Sequence, residues 1–225
     1  MNTTSTQLGR KYRLARIWSN RELERIAHHF SGDIVNVSGD RDKDKEGRYY
    51  SEYFINKHSY FITNYAGDNG YQGTNNEILL DITEELPLNL KYRFDVAFNH
   101  TTLEHVFNVF QAFKNICDLS KDIVIVVVPF AQIQHAIDMS YDDYWRFTPS
   151  VIRQLFQENN LEVVYESESP YTDSAVYLFF VGSRQPDKWK RILPDYTPVK
   201  QAGTWIGEQK KHNRRNILQY LFSRA

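Results

Sequence analysis

Seven consecutive residues, Asp122 to Val128 (DIVIVVV), constrain this chain more than any other stretch. From Ile123 onward every position is apolar, where a strand with one wet face would alternate. A run of this kind is buried on both faces, which is the habit of a central strand in a parallel sheet. The residues before it complete a unit: Phe94 to Phe98 (FDVAF) is a second short apolar strand, and a helix is predicted to begin near Thr102. That helix spaces Leu103, Val106, Phe107, Phe110, Phe113 and Lys114 by three and four, so one face is apolar and can cover the sheet. Strand, helix and strand in alternation predict an α/β sheet with right-handed crossovers. Ligands bind such sheets outside the carboxyl ends of their strands, and the first strand reaches that edge at Asn99-His100-Thr101-Thr102.

The remaining elements follow in order. Ser19-Asn20-Arg21-Glu22 reads as a capping box opening a helix of about three turns that stops at Gly32. Asp33 to Val37 is a first strand, turning through Ser38-Gly39-Asp40, where a glycine permits a tight turn or a close ligand. The charged segment RDKDKEG reads as a solvated surface loop. Tyr49 to Lys57 reads as a short helix, Ser59 to Tyr65 as a second strand ending at Asn64, and AGDNGYQGTNNE as a loop in place of a crossover helix. Ile78 to Ile82 is a third strand carrying Asp81 at the ligand edge. Past Val128, Thr148-Pro149-Ser150 starts a helix with Thr as cap and Pro in its first turn. Val151, Leu155 and Phe156 supply its apolar face. Leu161 to Tyr165 and Ala175 to Val181, with no helix between them, predict an antiparallel pair.

At 225 residues, with 27 basic against 28 acidic side chains, the chain has no bulk charge to recruit nucleic acid. Its single cysteine, Cys117, reads as a small core hydrophobe. His28, His29, His100, His105 and His135 lack the matched carboxylates of a metal site. The N-terminus has no signal-peptide core and no stretch reaches the roughly 18 apolar residues of a membrane span, so the expected location is cytoplasmic. Residues 1–32 form an N-terminal segment and helix, 33–183 the main domain, and 184–225 an extension. Its basic amphipathic end, with Lys210, Lys211, Arg214 and Arg215, either contacts a membrane surface or a partner or packs on the body.

Three segments carry a family resemblance: IVNVSGD after the first helix, FDVAFNHTTLEHVFNVFQAFKNI, and VVVPF with HAIDMSYDDYWRFTP. Together they resemble the class I S-adenosylmethionine-dependent methyltransferases, particularly the branch often associated with cell-surface saccharide biosynthesis. The matching positions are Leu103-Glu104-His105, Val128-Pro129-Phe130, His135, and Asp143 to Thr148. The resemblance implies a Rossmann-like sheet, mostly parallel, with an antiparallel strand pair at its C-terminal edge. It also implies S-adenosylmethionine as cofactor and O-methylation of a saccharide or another small polar acceptor. Asn36, Val37, Ser38, Gly39, Asn64, Asp81, Ile82, Asn99, Thr101 and Leu103 would then bind the cofactor. His135, Asp143 and Arg146 would serve acceptor and catalysis, His135 by taking up the acceptor's proton and Arg146 by a two-point contact to phosphate.

Each position also has a plainer reading. Asp81 suits a loop cap, Thr101 a helix cap, Glu104 and His105 a first helical turn, and Arg146 a pair with Asp143. Two departures from the family pattern stand out. Its Gly-x-Gly-x-Gly turn is reduced to Ser38-Gly39-Asp40, and the acid expected after the second strand is Asn64 or is displaced to Asp68. The alternative function is therefore a degenerate methyltransferase fold acting as a binding or assembly module.

Overall fold

The computed structural model describes residues 4–67, 70–134, 142–170 and 175–200, of which 4–13 are described as backbone only. Seven strands form one sheet: β1 (Ser31–Val37), β2 (Asn56–Asn64), β3 (Glu77–Leu79), β4 (Phe94–His100), β5 (Ser120–Pro129), β6 (Glu162–Glu168) and β7 (Tyr177–Ser183). Their spatial order is β3-β2-β1-β4-β5-β7-β6. The first five run parallel, and β7 lies antiparallel to both β5 and β6. The predicted antiparallel pair is present, and β7 inserts between β5 and β6 rather than closing the edge.

β5 shows why its sequence has no polar alternation. Val124, Val126 and Val128 point into one core with α2 (Val109–Leu119) and α3 (Pro149–Glu158). Ile123, Ile125 and Val127 point into a second core on the opposite face, beneath α1 (Thr4–Ala27) and Trp189 of α4 (Pro186–Trp189). With both faces covered, each residue along the strand needs an apolar side chain.

The helices depart from expectation in three places. α1 begins at Thr4, so Ser19 lies inside it, and its hydroxyl donates to the Arg16 carbonyl instead of capping a helix start. This is the i−3 back-bond open to a serine in a helix interior. The helix ends at Ala27, and Gly32 lies inside β1 with φ +96°, its Cα hydrogen facing Asp95, where a Cβ would collide. The helix expected near Thr102 is instead a 3-10 turn, Leu103–His105, followed by α2 from Val109. A left-handed Thr101, φ 50°, ends β4 too abruptly for a helix to follow at once. The later start rotates the buried stripe to Val109, Ala112, Phe113, Ile116 and Cys117, leaving Phe107 and Phe110 exposed. Only a 3-10 turn, Tyr50–Glu52, occupies the predicted short helix before β2.

α3 starts as expected, with the Thr148 hydroxyl accepting from the Val151 amide and Pro149 in the first turn. Arg184 joins α2 and α3 by donating to the Cys117 and Asn159 carbonyls at their C-terminal ends, where backbone acceptors lack helical partners. No helix among the described residues is long and apolar enough to cross a membrane.

Candidate functional site

The carboxyl ends of β1 and β4 lie side by side, with Val37 paired to Asn99. The turn after β1 is held in an unusual shape, with Ser38, Asp40 and Asp42 all left-handed at φ 55°, 47° and 59°. The charged segment that follows is not solvated as expected. Asp42 is buried and accepts from Asn36 Nδ2 (2.9 Å), the Tyr60 hydroxyl (2.7 Å) and the Ser51 amide (2.9 Å). Asp44 is buried too, and accepts from the Glu46 and Arg48 amides and the Tyr53 hydroxyl. The intervening Lys43 and Lys45 face water, so the alternation of charge alternates inside and outside. Hydrogen-bonded carboxylates hold the turn that glycines shape in the family pattern. Gly39 is still required, because a Cβ there would stand 2.6 Å from Asn36 Nδ2.

At the β2 end, Asn64 is buried and serves its own loop. Its Oδ1 accepts from the Asp40 amide, and its Nδ2 donates to the Asp40 carbonyl and to Glu77 Oε1. Glu77 also gathers the Gln72 and Thr74 amides and the Thr74 hydroxyl. Burial opposes ionisation, but these donors together outweigh it and lower the pKa to about 2. Asp81 is exposed beyond β3 and closes a local turn on Thr83, while Ile82 is buried in the core beneath α2.

The β4 end is where polar groups converge. Asn99 is fully buried; its Nδ2 donates to the Val37 carbonyl at 2.9 Å, and its Oδ1 has no hydrogen-bond partner among the described residues. His100 is half-buried between Ser19 of α1 (2.8 Å) and the Thr101 hydroxyl (3.1 Å), with the Tyr50 and Tyr177 rings around it. Burial, and then the Arg16 charge, hold its pKa well below the usual imidazole range. Neither Thr101 nor Thr102 caps the following turn with its side chain. Leu103 is buried in the core. Glu104 is 1% exposed, and its Oε2 has no hydrogen-bond partner among the described residues. Burial pushes its pKa up to about 7, against the opposing pull of its backbone amide and of Arg16 and Arg146.

Asp143 and Arg146 form a two-point ion pair, both contacts 2.5 Å. Arg146 also donates to the Gln132, Ile133 and Trp145 carbonyls. These bonds use all five guanidinium donors, so Arg146 braces the backbone around the end of β5 and has none left for phosphate. The plainer of its two sequence readings holds. Trp145 is partly buried against the core and donates to the Val106 carbonyl, leaving Tyr144 as the exposed aromatic face, edge-on to Phe107. Gln132 Oε1 is a third buried acceptor without a partner among the described residues. His135, Asp68 and the basic C-terminal segment lie outside the described residues.

Sequence reasoning missed Arg16 and Gln132 as members of this edge; it placed His100 there without a role, and noticed Ser19 as a helix cap and Glu104 as a motif position or first-turn carboxylate. A cavity of about 690 Å³ opens at the opposite edge, between α3, β6 and Tyr196. Its charged walls are already engaged, Arg153 with Glu166 and Arg184 with helix carbonyls, so the convergent chemistry is at the β4 end.

No family model and no curated protein matches the sequence. Solved structures do match. A Burkholderia thailandensis 1,6-didemethyltoxoflavin-N1-methyltransferase, solved with 1,6-didemethyltoxoflavin and S-adenosylhomocysteine, is 15% identical, with TM-score 0.50 over 74% of this chain and 80% of its own. The magnesium protoporphyrin IX methyltransferase of Synechocystis PCC 6803, solved with S-adenosylmethionine, is 8% identical, with TM-score 0.52 over 82% and 85%. A Bacillus halodurans protein named provisionally as a methyltransferase is 12% identical, with TM-score 0.53 over 74% and 99%. The fold is that of the class I methyltransferases. The expected Rossmann-like sheet, mostly parallel with its antiparallel pair, is therefore present.

The edge residues suit a cofactor of that fold unevenly. The orphaned Asn99 Oδ1 fits a ligand that brings a donor to the end of β4. At the β2 end, Asn64 has both its amide atoms committed to the chain.

Proposed function

We propose that this protein is an S-adenosylmethionine-dependent methyltransferase acting on a hydroxyl of a small polar acceptor, a saccharide being the first class to test. The observation that carries this reading is a buried acceptor without a partner among the described residues, Asn99 Oδ1, at the carboxyl edge of a central strand of this sheet. A buried polar atom without a partner costs about 1–3 kcal/mol, and a donor on the bound cofactor would remove that cost. Thr101 and the backbone of Val37, Ser38 and Gly39 border the same edge, with Asn36, Ile82 and Leu103 packed behind it. When bound, the cofactor supplies a methyl group on a positively charged sulfur. The chain's task is to hold the acceptor in line and remove its proton. The aromatic face of Tyr144 beside Trp145 supports a saccharide, whose apolar ring face packs on such surfaces.

A second reading rests on the turn after β1. Its glycines are replaced by the Asp42 and Asp44 networks, and Asn64 is tied to Asp40. That arrangement favours a module that keeps the fold without the cofactor. Calorimetric titration of the full chain with S-adenosylmethionine and S-adenosylhomocysteine, with a nicotinamide dinucleotide as control, separates the two. Micromolar binding selective for the sulfur nucleotides, about −8 kcal/mol, is the expected result. No heat with either would leave the non-catalytic module.

A further inference from the structure

Glu104 sits in the turn directly after β4, five residues past Asn99, the sheet position that pairs with Val37. It is held there from both sides: its carbonyl accepts from the Tyr144 and Trp145 amides, and Leu103 beside it is fully buried. Charged and titratable groups face it from every neighbouring element. These are Arg16 from α1, Tyr177 from β7, Asp143 and Arg146 from the segment before α3, and His105 from its own turn, whose Nε2 lies 3.9 Å from Oε1. Neither arginine neutralises it by direct contact. Arg146 has its five donors on other acceptors, and Arg16 Nε donates to the Tyr177 hydroxyl. A carboxylate buried without a bonded cation is expensive to keep ionised.

We propose that Glu104 is the proton-exchanging group of the site, with Oε2 the atom that receives the acceptor's proton. This deepens the methyltransferase reading and rests on it. In the transfer, a lone pair of the acceptor oxygen forms the new C–O bond as the C–S bond breaks. The electrons of the C–S bond stay on sulfur, which changes from a sulfonium to a neutral thioether. The O–H electron pair stays on oxygen, and the proton passes to Oε2, from which it returns to solvent when the site opens. The ionised form of Glu104 is the competent one, and a positive charge in the site favours it. Binding the sulfonium form of the cofactor therefore expels a proton that binding the thioether form retains.

The test needs no acceptor. S-adenosylmethionine and S-adenosylhomocysteine are titrated into the full chain near pH 7, in buffers of different ionisation enthalpy. The two ligands share their amino and carboxylate groups and differ in the charge on sulfur. The expected result is release of roughly half a proton per site with the sulfonium ligand and clearly less with the thioether. The ratio of the two affinities should also rise by about tenfold from pH 6 to pH 8. Glu104→Gln keeps the shape of the side chain, and should bind both ligands with no difference in proton release. Should that variant fail to fold, the difference between the two ligands in the unaltered chain decides. Equal proton release with both ligands, or a difference that survives Glu104→Gln, overturns the assignment while leaving the methyltransferase reading intact. Absence of heat with either ligand overturns both.

Discussion

Buried carboxylates do most of the work at this sheet edge, and their effect depends on how many donors each one faces. Asp42 faces three, from Asn36, Tyr60 and Ser51. Asp42→Ala should therefore leave buried donors unpaired and cost about 3 kcal/mol in urea denaturation; a loss under about 1 kcal/mol would show that the loop is not held this way. Glu104 Oε2 has no hydrogen-bond partner among the described residues, and burial pushes the pKa of this carboxyl up to about 7 instead of 4.5. Between those values the folded chain holds a proton that the unfolded chain has released, so this group's stabilisation is present below pH 4.5 and is lost as pH rises through 7. His100 acts in the opposite sense, since its depressed pKa makes acid unfavourable below about 6.5. The two offset each other in the unaltered protein. Glu104→Gln should remove one side of the balance, making the fall in stability from pH 7 to pH 5 steeper, by about 2 kcal/mol. Parallel urea titrations at the two pH values measure it. Asn99→Ala should weaken S-adenosylmethionine binding by about tenfold, the equivalent of about 1.4 kcal/mol; unchanged affinity by calorimetry would remove Asn99 from the site.

Elements are placed here by polar clamps as well as by apolar faces. Between β5 and α3 the described residues 130–134 and 142–148 carry no helix or strand, and they are held by the five bonds of Arg146 together with two amides on the Glu104 carbonyl. Arg146→Lys keeps the charge and loses the fork, so it should cost about 2 kcal/mol and increase proteolysis of this segment. A variant as stable and as resistant as the parent would show that the ion pair alone suffices. α1 shows the same division of labour. Leu23, Ile26 and Ala27 bury into the second core, while Arg16 and Ser19, one turn apart, reach Tyr177 and His100 at the ligand edge.

Across the whole molecule the two faces of one sheet are closed by segments far apart in sequence, and Asp122 at the start of β5 ties the C-terminal one down. It accepts from the Ser183 hydroxyl, the Arg184 and Gln185 amides and the Trp189 indole. Trp189 in turn packs on Phe30 beneath α1. Asp122→Ala should strand several buried donors at once and cost about 3 kcal/mol or more. A drop of about 10 °C in Tm for a chain of this size follows, in a single transition by calorimetry. Separate transitions would mean that the segment after β7 melts independently of the sheet.

The sequence by itself determined what local chemistry decides. An unbroken apolar run made β5 central, Thr148-Pro149 opened α3, Cys117 went into the core, and two adjacent strands without a helix paired antiparallel. Each of these follows from burial or capping within a few residues. Tertiary structure decided where two readings had the same local signature. Ser19 to Glu22 spells a cap equally well as a helix interior, and only the longer helix that packs against β7 chose between them. Phe107 and Phe110 have helical spacing, yet the left-handed Thr101 delays the helix and turns both rings outward. Alternating charges read as solvated until Tyr53, Tyr60 and Asn36, brought close by the β1–β2 pairing, supplied donors for every second residue. Arg146 allowed both a ligand contact and a pair with Asp143, because its carbonyl partners carry no mark in a sequence. Burial of a polar side chain depends on donors and acceptors from other strands, and those become neighbours only when the sheet is assembled.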